Sequence, residues 1–193
     1  MKKKTTTRIT VIIVIGIILM VGYYTYLSNK TREQKQEVTL SEVQSVLSRD
    51  LAMDYPPTPK EVIKYYNELL KYMYKEETTD AEIEDLGNKA RELYDVELLE
   101  NNELGVYLVN LNADIDEFKE NKRMFTGFSV ASSANVEFFE EDGYSFARIR
   151  CNYNIAENGV SCPSDQIYLL RQDENKKWKI YGWQPADQVN PEN

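Results

Sequence analysis

The 193-residue chain contains no histidine. That removes Ser-His-Asp and Cys-His catalysis, imidazole zinc sites and the usual near-neutral general base. Cysteine is almost as scarce, with Cys151 and Cys162 the only two. No internal repeat is present, and no low-complexity tract lies before the terminal Asn190-Pro-Glu-Asn193. Basic residues are too few to give a positive body. Lys and Arg number 23 against 32 Asp and Glu, a net charge of −9. The first 30 residues hold five basic groups (Lys2, Lys3, Lys4, Arg8, Lys30) and no acid, so residues 31–193 carry 18 basic and 32 acidic groups, a net of −14. An acidic body excludes nucleic acid as a partner, because phosphate contacts need a positive face. Hydrophobic residues make up 42%, enough to build a core in one domain of this length.

One long apolar run is present. No charge falls between Arg8 and Lys30, and residues 9–27 read ITVIIVIGIILMVGYYTYL. As a helix, 19 residues reach about 28 Å, close to the hydrocarbon thickness of a bilayer. The eleven Ile, Val and Leu residues of the run favour insertion by on the order of 3 to 6 kcal/mol. β-branched residues are poor helix formers in water, but in lipid the backbone must satisfy its own hydrogen bonds, so helix is forced. Lys2, Lys3, Lys4 and Arg8 lead the span, which places the N-terminus in the cytoplasm and the body outside. Tyr23, Tyr24 and Tyr26 stand at the distal end, as in an interfacial aromatic belt. A cleaved signal peptide needs a shorter apolar region and a small-residue cleavage site, and Tyr24-Thr-Tyr-Leu-Ser-Asn29 offers none. Gly16 and Gly22 are six apart, not the four of a helix-dimer face. The expected order is a cytoplasmic tail at 1–8, a transmembrane helix at 9–27, a stalk and linker helix at 28–55, an extracytoplasmic domain at 56–184 and a disordered tail at 185–193.

The body reads as helices followed by strands. Thr39 with Glu42 opens a helix near 40–52, carried by Val43, Val46, Leu47 and Leu51. Tyr55-Pro-Pro-Thr-Pro59 breaks the chain. Thr58, Pro59 and Glu61 then start a second helix running to about 75, with Val62, Tyr65, Tyr66, Leu69, Leu70 and Met73 as its apolar stripe. Thr79 and Glu82 start a third, reaching about 95, and a fourth spans 103–120. After Lys122 the texture turns extended, with strands at 124–130, 135–139, 144–155, 167–170 and 178–183. Asp142-Gly143 and Asn158-Gly159 are hairpin turn signals. This order gives an α+β domain, helices packed on a curved antiparallel sheet.

Helices followed by a curved sheet, ending in Lys176-Lys-Trp-Lys-Ile-Tyr-Gly-Trp183, resemble the cystatin/NTF2-like superfamily over residues 56–184. That resemblance implies a cone whose mouth aromatics can line. The anchor with Gly22-Tyr-Tyr24, together with Tyr55-Pro-Pro-Thr-Pro-Lys-Glu-Val62, Ala90-Arg-Glu-Leu-Tyr-Asp95 and Trp178-Lys-Ile-Tyr-Gly-Trp183, resembles an uncharacterised family of single-pass membrane proteins from clostridia-like Gram-positive bacteria. It implies a full-length match and transfers no catalytic residue.

Cys151 and Cys162 pair as a disulfide or stand as free thiols. A two-residue turn at Asn158-Gly159 sets Cys151 against Gln166 and Cys162 against Ile155, about 13 Å out of register, whereas an irregular loop ending at Pro163 lets them meet. The acidic clusters at 80–85, 114–117 and 140–142 match no calcium loop and read as solvated faces. Arg148 and Arg150 share a strand face and suit cross-strand acids or an anion. Tyr65, Tyr66, Tyr72, Tyr153, Tyr168 and Trp183 line a ligand pocket in one reading and fill the core in the other. Trp178 and Ile180 share a parity facing inward, with Lys179, Tyr181 and Trp183 opposite. No metal or cofactor is called for. The sequence fits a plasma-membrane protein acting as a non-enzymatic binding or assembly module at the cell envelope, whose partners are the membrane and an envelope protein. The alternative is a small-ligand binder or a His-independent enzyme using the aromatic pocket.

Protease added to intact protoplasts is expected to digest residues 31–193 and leave a small anchored fragment. A protected body, or a mature chain starting after residue 27, would refute the anchor.

Overall fold

Threonine caps and prolines set the helical half. The computed structural model describes residues 41–188, and the expected cytoplasmic tail and membrane span, residues 28–40 of the expected stalk and linker, and residues 189–193 lie outside them. Among the described residues no helix is long and apolar enough to cross a membrane. Helix α1 (Glu42–Leu47) is shorter than its sequence pattern, ending in turns up to the Pro56-Pro57 break. Helix α2 (Pro59–Met73) starts where Thr58 Oγ1 accepts the Glu61 N–H at 3.3 Å, with proline at the first helical position. Helix α3 (Asp80–Arg91) opens on a full capping box. Glu82 N–H donates to Thr79 Oγ1 at 3.3 Å, and Thr79 N–H donates to the Glu82 carboxylate at 3.0 Å. A short α4 (Val96–Glu100) follows, capped by Asp95, and then α5 (Leu104–Glu120).

The sheet is wholly antiparallel. Strands β1 (Arg123–Val130), β2 (Glu137–Glu141), β3 (Tyr144–Glu157), β4 (Val160–Ser161), β5 (Ser164–Gln172) and β6 (Trp178–Pro185) run in the order β1-β3-β5-β6. The 14-residue β3 is its spine. β1 pairs with its second half, and β2 with its first. Asp142-Gly143 and Asn158-Gly159 form the two tight turns at φ of 51°, 81° and 50°, 80°, the left-handed pair that a two-residue hairpin requires. Register shifts at Phe125/Gly127 and Leu169/Leu170 mark bulges that bend the strands.

The helices pack on one face of this curved sheet. Ile149, Cys151 and Tyr153 of β3, Tyr168 and Leu170 of β5 and Ile180 of β6 meet Val62, Ile63, Tyr66, Leu69 and Met73 of α2. Ile83, Leu86 and Ala90 of α3 and Leu111 and Ile115 of α5 complete the core. Gly87 permits α3 and α5 to approach, since a Cβ there would lie 3.1 Å from the Leu111 side chain. Val43 and Leu51 are buried in the same core, and Tyr65 donates its hydroxyl to the Val46 carbonyl at 2.9 Å. Residues 42–51, read in sequence as linker, therefore pack as part of the domain. At the other end β6 continues through Pro185 into a 3₁₀ turn, Ala186–Gln188, where the sequence suggested a tail.

On the opposite sheet face Arg148 pairs with Glu137 at 3.1 Å and Arg150 with Asp165 at 3.3 Å, the cross-strand acids of the sequence reading. Arg171 does more. Its guanidinium bonds both Asp95 oxygens, at 2.9 and 2.5 Å, and reaches Glu97 at 2.6 Å. The rings of Tyr144 and Tyr181 each lie 4.8 Å from it. Beside this pair Ile180 N–H donates to the Leu93 carbonyl and Asp95 N–H to the Ile180 carbonyl, both at 2.8 Å, so residues 93–95 close the outer edge of β6. Removing one partner of a buried ion pair strands the other charge. Asp95→Ala is expected to cost about 3–5 kcal/mol in chemical denaturation, and pairing it with Arg171→Met should recover part of that loss. A single variant within 0.5 kcal/mol of the parent, the usual range of a surface change, would show that the pair holds nothing together.

Candidate functional site

The bulge in β6 decides which aromatics meet. Leu170 pairs with Ile180 and Leu169 with Gly182, so Tyr181 is the extra residue and the parity of the strand flips there. Trp183 therefore pairs with Tyr168 and shares its concave side, not the side of Lys179 and Tyr181 as strict alternation requires. Lys179 also departs from expectation. It is half-buried, its ammonium donates to the Glu92 carbonyl at 2.7 Å, and it lies 4.6 Å from the centre of the Tyr55 ring. Trp178 keeps the parity of Ile180 but is only half-buried, against Phe138, while Ile180 is fully enclosed.

Four rings converge on the concave side of the sheet. Tyr66 of α2 sits 6.0 Å from Tyr94, 5.9 Å from Tyr168 and 6.1 Å from Trp183, centre to centre. Tyr94 and Trp183 are 5.9 Å apart. These are tilted and edge-on contacts, the geometry that aromatic quadrupoles favour. Tyr66, Tyr94 and Tyr168 are buried, whereas Trp183 is 44% exposed at the rim. The hydroxyls satisfy one another. Tyr66 and Tyr94 share a hydrogen bond at 3.2 Å, Tyr153 and Tyr168 share another, and Tyr107 meets Tyr94 edge-on at 6.1 Å.

Of the sequence candidates, Tyr66, Tyr153, Tyr168 and Trp183 come together, and Tyr65 and Tyr72 do not. Tyr65 faces α1, under the Arg49 guanidinium at 5.0 Å. Tyr72 is half-buried beneath Lys71, whose ammonium is 5.2 Å from its ring. Tyr94, Tyr107 and Asn67 belong to the concave side and were missed. The apolar spacing of Ile83, Leu86, Ala90 and Leu93 runs directly into Tyr94, which was the available signal. Asn67 gives none, being a polar residue inside an apolar stripe. It donates to the Ile63 carbonyl at 2.7 Å and to Cys151 Sγ at 3.5 Å, while its Oδ1 is buried without a donor.

The disulfide is not formed. Cys151 is buried and Cys162 exposed, both as free thiols. The two-residue turn at Asn158-Gly159 holds the register, with Cys151 opposite Gln166 and Cys162 N–H donating to the Ile155 carbonyl at 2.7 Å. Burial pushes the Cys151 thiol up to about 11, far from a reactive thiolate. Burial likewise drives Tyr66, Tyr94, Tyr153 and Tyr168 above the ordinary tyrosine value. No carboxylate enters the cluster, and among the described residues no three metal-ligating side chains gather. The arrangement can pack, or bind an apolar group against its rings.

A raised tyrosine or thiol stabilises the fold below its unfolded pKa and loses that contribution as pH rises through the native value. Stability should therefore hold through neutrality and fall above about pH 9–10, where the unfolded chain starts to release these protons. Absorbance at 295 nm should show part of the 14 tyrosines ionising in one cooperative step with unfolding. Smooth titration of them all near pH 10 would mean that water reaches the cluster.

No curated protein matches the chain. Residues 1–183 match the family model described as a domain of unknown function, DUF6715. A match of that extent takes in the apolar run, the helices and the sheet as far as Trp183, and the chain belongs to the DUF6715 family.

Proposed function

We propose that this protein is a single-pass plasma-membrane protein whose extracytoplasmic, NTF2-like domain is a non-enzymatic binding or assembly module at the cell envelope. Helices followed by a curved antiparallel sheet support the superfamily reading, and the charge-free run behind a basic flank supports the anchor. The resemblance to anchored proteins of clostridia-like bacteria belongs to the same reading.

One observation carries the choice of module over enzyme. The concave side is filled by mutually bonded tyrosines, while apolar side chains face water on α5. Leu104, Val106 and Val109 are 46%, 55% and 68% exposed. Val106 and Val109, with Ala113 one turn on, fall on one helical face at spacings of three and four. An apolar helix face left in water marks an interaction surface. The small-ligand alternative draws on two buried acceptors without donors, Asn67 Oδ1 and Gln166 Oε1.

A photo-crosslinking amino acid at position 109, in cells, should give a discrete adduct with another envelope protein. Val106→Glu with Val109→Glu should remove that adduct and shift stability by no more than about 1 kcal/mol, since both are surface positions. An adduct that survives the double variant, or none at all, would sink the α5 interface. Ligand-dependent protection of the tyrosine cluster would then favour the alternative.

A further inference from the structure

The two edges of the sheet are treated differently. Residues 93–95 cover the outer edge of β6. Among the described residues no strand pairs with the outer edge of β1. Antiparallel pairing alternates inward and outward peptide groups. Ile155 gives its carbonyl to Cys162, on the far side of β3 from β1. Its β1 partner Phe125 therefore directs its own N–H and C=O outward, as does Arg123 two residues earlier.

A groove of 500 Å³ runs along this stretch, within the range of ligand sites. Five consecutive residues, 122–126, form one wall, an arrangement that the edge of a strand presents. The turn after α2, residues 74–77, forms the other. Tyr74 and Phe125 supply apolar surface, and Met124 is 61% exposed at the rim. Among the residues lining it, four are cations (Lys75, Lys119, Lys122 and Arg123) and two are carboxylates (Glu76 and Glu77), on a body of net −14. Arg123 is paired with Glu157 at 2.8 Å and Lys75 with Glu42 at 3.2 Å. Lys119 and Lys122 have no ion pair among the described residues.

We infer that the groove takes an acidic, extended segment of a partner protein, which adds as a short strand to the outer edge of β1 at Arg123–Phe125. Main-chain bonds would give affinity, the apolar wall would take alternate side chains, and the cations would select the charge. A second copy of this chain fits poorly. Antiparallel self-pairing centred on Met124 sets Lys122 and Arg123 of both copies into one groove. The bulge at Phe125/Gly127 limits the added strand to three or four residues. The inference does not depend on the membrane anchor or on the α5 surface.

The test uses the full-length chain in detergent and a set of blocked hexapeptides alternating Glu with Val, Phe or Tyr. Their Lys counterparts and phosphatidylglycerol vesicles serve as controls. An acidic peptide should bind, slow amide hydrogen exchange at Arg123 and Phe125, and weaken as salt is raised. The Lys counterpart should bind at least ~10-fold more weakly. Lys122→Glu should weaken acidic-peptide binding by a similar ~10-fold without changing the melting temperature, and Lys119→Gln should weaken it less. Equal binding of both peptide signs, absence of protection at β1, or binding of the vesicles alone would overturn the inference. Protection of β1 on concentrating the protein without peptide would also overturn it, by making the occupant a second copy.

Discussion

The ion pair between Arg171 and Asp95 is the constraint on which the rest of the domain turns. Arg171 projects from β5 on the face away from the core, reaches past β6 and grips a carboxylate from the helical layer with two parallel bonds. Its side chain is 10% exposed and that of Asp95 4%, so both charges have left water. Desolvation of that depth erodes the Coulombic gain, and the pair brings geometric specificity more than raw stability. The fork admits one orientation, and the rings of Tyr144 and Tyr181 both lie against the guanidinium. Asp95 is also the cap of α4, accepting the Glu97 N–H at 3.0 Å. One carboxylate thus begins α4 and ties it to the sheet.

That tie sets the interior. Residues 93–95 run alongside β6 as a two-bond bridge, and successive side chains of an extended segment point to opposite faces. With Asp95 held to the outer face, Tyr94 is directed inward, over Tyr66 and beside Trp183. The concavity closes because the edge is pinned. The same step covers β6, while among the described residues no strand pairs with the outer edges of β1 and β2, on the other side of β3. A sheet covered on one side and open on the other leaves unpaired peptide groups only on the open side.

Much of this was legible in the residues. Thr58-Pro59 and Thr79 with Glu82 fix two helix starts to the residue, since cap chemistry is local. Asp142-Gly143 and Asn158-Gly159 fix two turns for the same reason. What failed to show was non-local. Helix α4 is five residues long and carries no buried side chain, so no periodic stripe announces it. The β6 bulge depends on register against β5, and alternation along one strand cannot reveal an inserted residue. It moved Trp183 to the other face and reversed its meaning. Val43 and Leu51 looked like a free amphipathic stripe, and only the contact with α2 and α3 shows that the domain begins at α1.

The aromatic cluster fills the concave side of the sheet. An open pocket needs rings held apart by something stiff, whereas here Trp183 spans Tyr66, Tyr94 and Tyr168 at about 6 Å each, close enough for mutual edge and tilted contacts. Their hydroxyls are spent on one another, so a ligand entering would have to break two tyrosine pairs before making any bond of its own. Competing surfaces carry no such cost. The α5 face exposes apolar side chains already in place, and the β1 edge presents unpaired peptide groups beside an apolar wall. The domain's unspent interactions sit on a helix face and a strand edge, where another chain can meet them.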